Sequence, residues 1–297
     1  MGGKQERRYQ RMITVVLALI SLIMVIPLVL LVVASFTSNN EIVLHGYSFF
    51  PKELSLEAYR YIWNERAQVF HAYGITILVT AIGTTIGVMM TLLYAYVLAH
   101  EKFPGKTFLA FYLFFTMLFN GGLVPTYIMY TRYLHMKNTI PALIIPGLLM
   151  SAFNVILTRT YIQSNVPAAL SEAAKIDGAT EFQVFRKVVL PMCKPIIATV
   201  GLFAGLGYWN DWTNGLYYIT DTNKFSIQQL LNNMIKNIEF LSKNANSNNN
   251  LASVGGGIPQ ETVRMAIAIV GLLPILIVFP FVQKYFVKGI SIGAVKG

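Results

Sequence analysis

Apolar residues run along this chain in blocks, and six of the blocks are long enough to cross a bilayer as helix, which takes about 20 residues. They are residues 13–34, 72–99, 107–131, 139–158, 195–216 (polar at its far end) and 265–282. Apolar periodicity alone cannot separate a buried helix from a buried strand, but blocks of this length exceed any ordinary strand. The first block is longer than the 7–15-residue core of a cleavable signal peptide, so it is expected to be a retained anchor. The pattern predicts an all-α polytopic membrane protein with six transmembrane helices.

The intervening segments divide the chain. Residues 1–12 form an N-terminal segment, 13–34 the first span and 35–71 an outer loop with a short helical piece from Leu54. A tight inner turn occupies 100–106, and a segment of about 33 residues, 162–194, separates spans four and five. Residues 221–263 are expected to be a mobile outer loop, because Asn-rich 244–250 and glycines 255–257 suit flexible linking. Residues 290–297 form a C-terminal tail.

Composition agrees. Of 297 residues, 55% are hydrophobic and 12% charged, about half the charge of an ordinary soluble domain. The mean hydropathy is +0.56. A single cysteine, Cys193, excludes an internal disulfide. The net charge of +10 is explained by topology. With the N-terminus cytoplasmic, 14 of the 23 Lys and Arg lie on the inner side with 5 of the 13 acids, so that side carries +9 and the outer +1. Cytoplasmic loops carry such an excess, and both termini are expected inside. Nucleic acid is not needed to explain it.

Spans one to four and six contain no Asp, Glu, Lys, Arg or His, and span five contains only Asp211 of these. Proton-coupled transporters mark their pathways with buried acids or bases, and channels with charged rings or filter loops. Neither is present. The four histidines (45, 71, 100 and 135) show no metal-ligand spacing, and no GxxxxGK[ST] phosphate loop occurs. The chain is therefore expected to be no enzyme. Energy for uphill transport must come from another subunit.

The inner segment has its own local signals. Ser164 or Asn165 can cap a helix whose first turn takes Pro167, and Gly178 can end it in the left-handed conformation. Thr180 and Gln183 form a capping-box pattern for a second helix, with Phe182, Phe185 and Val189 on one face and Pro191 as its stop. One acid, Glu172, beside the small Ala173 and Ala174, suits insertion into a partner's groove that presents a basic side chain. An ordinary surface helix pair is the plain alternative.

Glu172-Ala173-Ala174, Asp177-Gly178-Ala179, Phe185, Leu190-Pro191 and Pro195 resemble the EAA loop of ABC importer permeases. The six spans and the terminal Gly293-Ala294-Val295-Lys296-Gly297 look like the carbohydrate-type importers, similar to the six-span second permease of the maltose importer. The resemblance implies a type I ABC importer permease fold, with residues 72–289 as the permease core and 162–194 as the coupling-helix loop. It implies that Glu172 faces an ATPase arginine, that Gly178 sets the hinge and that the tail reaches between two ATPases. It also implies a heterodimer with a second permease, an extracellular solute-binding protein, an oligosaccharide substrate and the cytoplasmic membrane of a prokaryote. ATP and Mg would sit on the ATPases, with no cofactor on this chain. An importer of peptide or polyamine is the alternative within the fold, and a non-transporting membrane scaffold or sensor the alternative outside it.

Two patches are candidates for the substrate path. Tyr208, Trp209, Asn210, Asp211 and Trp212 join ring faces for stacking on sugars to groups that bind hydroxyls, although aromatic residues also collect at membrane interfaces. Asn120, with Gly121, Gly122 and Pro125, marks a break or a packing kink in span three. Gly83, Gly87, Gly201 and Gly205 have the spacing of close helix contacts.

Overall fold

The computed structural model describes residues 3–100, 103–245 and 259–294, which are mostly helical. Among them the sole strand-like pairing is an isolated bridge between Thr37 and Leu54. The chain forms two compact units, residues 1–69 with 231–274 and residues 70–230 with 275–297.

In the first unit α1 (Gly3–Ser35) shows apolar side chains on every side, and none of its most apolar stretch is buried by this chain. A helix apolar all round needs apolar surroundings. Beyond it lie α2 (Asn39–His45) and α3 (Glu57–Asn64). The Glu41 carboxylate accepts the backbone N–H groups of Lys52 at 2.7 Å and Glu53 at 2.6 Å, which holds its pKa below the ordinary carboxylate value. Asn39 Oδ1 accepts the N–H of Glu261 at 3.0 Å in the first turn of the last helix, Gln260–Ala294. Part of the expected mobile loop is helical instead, over Ile227–Ala245. Its Leu231, Met234 and Ile238 are buried at helical spacing and Arg264 bridges to its Glu239 at 3.4 Å. Residues 246–258, including most of the Asn patch and the three glycines, lie outside the described residues.

The second unit is built on α4 (Arg66–Ala99), α5 (Lys106–Leu118) and α6 (Leu123–Ile128), which runs into a π turn at Met129–Tyr133. Then come α7 (Pro141–Ile144), α8 (Ala152–Asn165), α9 (Ala168–Ile176), α10 (Glu181–Val184), α11 (Leu190–Met192), α12 (Lys194–Asn210) and α13 (Thr213–Tyr218). The first unit's long polar-faced helix is α14 and its last helix α15.

Among the described residues, three helices carry stretches long and apolar enough to cross a membrane: Arg7–Ser35, Arg66–Ala99 and Gln260–Val278. Two further candidates are bent pairs, Lys106–Leu118 with Leu123–Tyr133 at 115° and Glu181–Met192 with Lys194–Asn210 at 81°. The described residues thus offer three to five candidate spans by length and composition, against the six expected. The third predicted span breaks at Gly122, whose φ of +85° favours glycine. The Asn120 side chain there accepts the Gly122 N–H at 2.9 Å.

The fourth predicted span is interrupted between α7 and α8, at Pro146 and at Gly147 with φ +72°. Irregular backbone at membrane depth survives only where its polar groups are satisfied by protein or face a water-lined cavity. Here the Tyr208 hydroxyl donates to the Ile144 carbonyl at 2.9 Å and Asn214 Nδ2 to the Pro146 carbonyl at 3.0 Å. The glycines of α4 allow this arrangement. A Cβ at Gly83 would lie only 2.4 Å from the Tyr208 ring, and one at Gly87 would lie 2.7 Å from the Leu149 carbonyl oxygen. The small-residue spacing thus serves contacts within the chain.

One apolar core joins Leu92, Ala95 and Leu98 of α4 to Leu113 of α5 and to Val155, Tyr161 and Ile162 of α8. It continues through Val184, Phe185, Val189 and Cys193 to Ile196 and Val200 of α12. The inner segment is therefore buried in the core along its second half, whereas no residue of α9 in its first half is buried.

Candidate functional site

The 162–194 segment folds as two helices about Gly178, whose φ is +84°. Its first helix begins later than the cap residues suggested. Ser164 and Asn165 finish α8, and Pro167 is the residue before α9, in extended conformation. The capping box at α10 forms, with the Gln183 N–H donating to Thr180 Oγ1 at 3.3 Å and the Thr180 N–H to Gln183 Oε1 at 2.9 Å.

Pro191 does not end the second helix. A proline ring collides with the carbonyl four residues back and supplies no N–H. Phe185–Val189 widens to a π turn, in which the Leu190 N–H reaches the Phe185 carbonyl, and the helix continues to Met192. The chain turns at Cys193 instead.

Burial divides the segment. Phe185 and Val189 are core residues, whereas Phe182, expected on the same face, is 65% exposed. The buried face is Val184, Phe185 and Val189, because the π turn shifts the helical register. No residue of α9 is buried. Ala174 and Ala179 pack against the core, while Glu172, Ala173, Asp177 and Gly178 are exposed. Ile176 is 86% exposed and Leu170 47%. The result is a small projecting helix bearing one carboxylate among bare apolar side chains.

The C-terminal residues Gly293 and Ala294 end α15, so the predicted tail is helical this far, and Val295, Lys296 and Gly297 lie outside the described residues.

At the outer end of α12, the side chains of Tyr208, Asn210 and Asp211 are hydrogen-bonded to backbone groups. Tyr208 is 2% exposed and committed to the Ile144 carbonyl. Asp211 Oδ1 accepts the N–H groups of Thr213 at 3.0 Å and Asn214 at 3.2 Å, starting α13. Trp209 packs obliquely on Tyr73 at 6.3 Å between ring centroids, and Asn210 Nδ2 donates to the Leu206 carbonyl at 3.0 Å. Trp212 is exposed.

The sequence reading missed a cleft of about 380 Å³ beside the interruption of the fourth span, within the range of small-ligand sites. Thr91 of α4, Ser151 and Asn154 at the start of α8 and Phe203 of α12 line it, together with Gly87, Gly147 and Gly207. Hydroxyls, an amide and two phenylalanine rings, Phe153 and Phe203, in an otherwise apolar and uncharged wall suit a ligand that carries both hydroxyls and apolar ring faces. The available signal was Pro146-Gly147 followed by polar Ser151 and Asn154 inside an apolar block.

Comparison with known proteins follows the same lines. Residues 1–292 match the family described as binding-protein-dependent transport system inner membrane component. The polygalacturonan/rhamnogalacturonan transport system permease protein YtcP of Bacillus subtilis (strain 168) is 35% identical, over 99% of this chain and 100% of that protein. The arabinooligosaccharides transport system permease protein AraQ of Halalkalibacterium halodurans is 27% identical, over 96% of each. A solved chain from a bacterial ABC transporter involved in the import of the acidic polysaccharide alginate has a TM-score of 0.75 at 27% identity, covering 96% of this chain and 99% of that one.

Proposed function

Because this chain belongs to the family of binding-protein-dependent transport system inner membrane components, we propose that it is a permease subunit of an ATP-driven ABC importer and forms half of the translocation path for an oligosaccharide. The carrying observation is full-length similarity to sugar-importer permeases. It has the type I importer permease fold and is a transport subunit, not an enzyme.

The finer reading adds the partners. The chain crosses the membrane six times, counting the bent and interrupted spans, with both termini cytoplasmic. It pairs with a second permease, receives sugar from an extracellular binding protein and rests on two ATPases that bind ATP and Mg. The exposed face of α9 is the ATPase contact: Leu170 and Ile176 are bare apolar residues there, and covering them in a partner's groove is favourable at about 25 cal/mol per Å². ATP binding brings the ATPases together, the coupling helices follow, and the cavity opens outward to take the sugar.

The relatives named above handle both acidic and neutral sugars. The uncharged cleft suits what these share, hydroxyls and ring faces, so the proposed contacts are Asn154, Ser151 and Phe203. Asn154→Ala is expected to reduce uptake about fivefold, the effect of losing about 1 kcal/mol of hydrogen bonding, without changing recovery of the complex. Uptake of labelled galacturonate and arabinose oligosaccharides into proteoliposomes holding the whole importer measures this. If Asn154→Ala transports normally while Trp209→Ala and Asn210→Ala lose uptake, the path runs along the outer end of α12 instead.

A further inference from the structure

Lys175, Glu181, Tyr96 and His100 form a polar cluster where the end of α4 meets the inner loop, apart from both the exposed face of α9 and the cleft. We propose that this cluster is a clasp tying the projecting helix to α4, with Lys175 and Glu181 as positioning residues for coupling. The proposal rests on the reading of α9 as the ATPase contact.

The geometry converges on one carboxylate. Lys175 ends α9 and Glu181 begins α10, on opposite sides of Gly178, and Lys175 Nζ lies 2.5 Å from Glu181 Oε1. The Tyr96 hydroxyl donates to Glu181 Oε2 at 2.9 Å across a separation of 85 residues. His100 Nε2 lies 3.8 Å from that same oxygen and 3.4 Å from Lys175 Nζ. The Tyr96 ring meets His100 edge-on at 4.7 Å and Phe185 at 5.2 Å, so it is held between the cluster and the core.

This arrangement fixes an angle more than it stabilises a fold. Apart from the small Ala174 and Ala179, the core does not grip the loop near its hinge, and Gly178 leaves the backbone there free to take many conformations. An ion pair across the hinge limits how α9 can swing. The bond to Tyr96 passes displacement of α9 to α4, which carries Gly87 and Thr91 of the cleft wall. The Lys175 side chain is 38% exposed and that of Glu181 60%, and pairs so exposed add little to stability. Loss of the clasp should therefore separate coupling from folding.

Reciprocal charge exchange tests this in the complete importer, reconstituted with its binding protein and ATPases. Lys175→Glu and Glu181→Lys are each expected to lower binding-protein-stimulated ATP hydrolysis at least about fivefold, the lower end of typical coupling between sites. Subunit recovery and melting temperature should remain those of wild type, and the double exchange should restore stimulation to within about twofold of it. Single variants that are stimulated normally, a double variant no better than the singles, or losses matched by a fall in melting temperature would each overturn the clasp. An otherwise wild-type chain with Ala173→Cys reports the underlying reading through its crosslink to the ATPase. A crosslink with failed rescue removes the clasp alone, while absence of the crosslink removes the docking reading and the clasp with it.

Discussion

Glu172→Ala is expected to abolish sugar uptake and weaken retention of the ATPase during purification. The side chain is exposed on α9 of this chain, so removing it leaves nothing inside the permease unsatisfied, and the fold should survive. Docking is what changes the balance. Exposed Ala173 beside it would let another surface approach the backbone closely, so in the proposed docking the carboxylate would enter a partner's groove with little water left around it. Deleting one member of a buried ion pair costs about 3–5 kcal/mol, because the other charge is left without its partner. This is enough to lose either docking or coupling. Uptake and ATPase stoichiometry measured on one preparation check the effect. Normal assembly and transport by Glu172→Ala would make the loop an ordinary surface.

The second large effect is structural. Gly83→Val is expected to leave little folded permease in detergent. Its Cβ would stand 2.4 Å from the Tyr208 ring, and that ring cannot step aside cheaply, being buried and bonded to the Ile144 carbonyl. Overpacking costs about 1–3 kcal/mol. A carbonyl stripped of its donor where water is scarce costs about 1–3 kcal/mol more. Tyr208→Leu in the same chain removes most of the collision and should recover part of the yield, whereas Tyr208→Phe should not. Size-exclusion yield and a thermal melt read the series. Wild-type yield and melting for Gly83→Val would show that α4 and α12 are not in the close contact described.

These two residues also show what the sequence made legible. The inner loop could be read because its signals are local. A capping box needs only Thr180 and Gln183, and a left-handed stop needs only Gly178. The interruption of the fourth span was harder, since hydropathy counts apolar residues and carries no information on chain direction. Pro146-Gly147 was visible, but the groups that make a break tolerable, Tyr208 and Asn214, lie more than 60 residues away. The bond from the Tyr208 hydroxyl to the Ile144 carbonyl has no signature in local sequence, and neither does the assembly of the cleft beside it. Pro191 misled for a related reason: a proline signals a stop, while a π turn before it lets the helix continue. The helix α14 is a different kind of miss. Leu230, Leu231, Met234 and Ile238 already carried a helical period, but the neighbouring asparagines suggested a linker. The clasp around Glu181 left no sequence signal, because it joins Tyr96 and His100 to residues 75 to 85 positions away.

The central claim is that this permease moves oligosaccharide at the expense of ATP hydrolysed by partner subunits. Uptake of labelled oligosaccharide into vesicles holding the whole importer, with ATP on the ATPase side and a protonophore collapsing the proton gradient, tests it most directly. The account predicts that uptake continues with ATP and the protonophore, and stops when ATP is withdrawn. Uptake that ceases with the protonophore while ATP remains would contradict it.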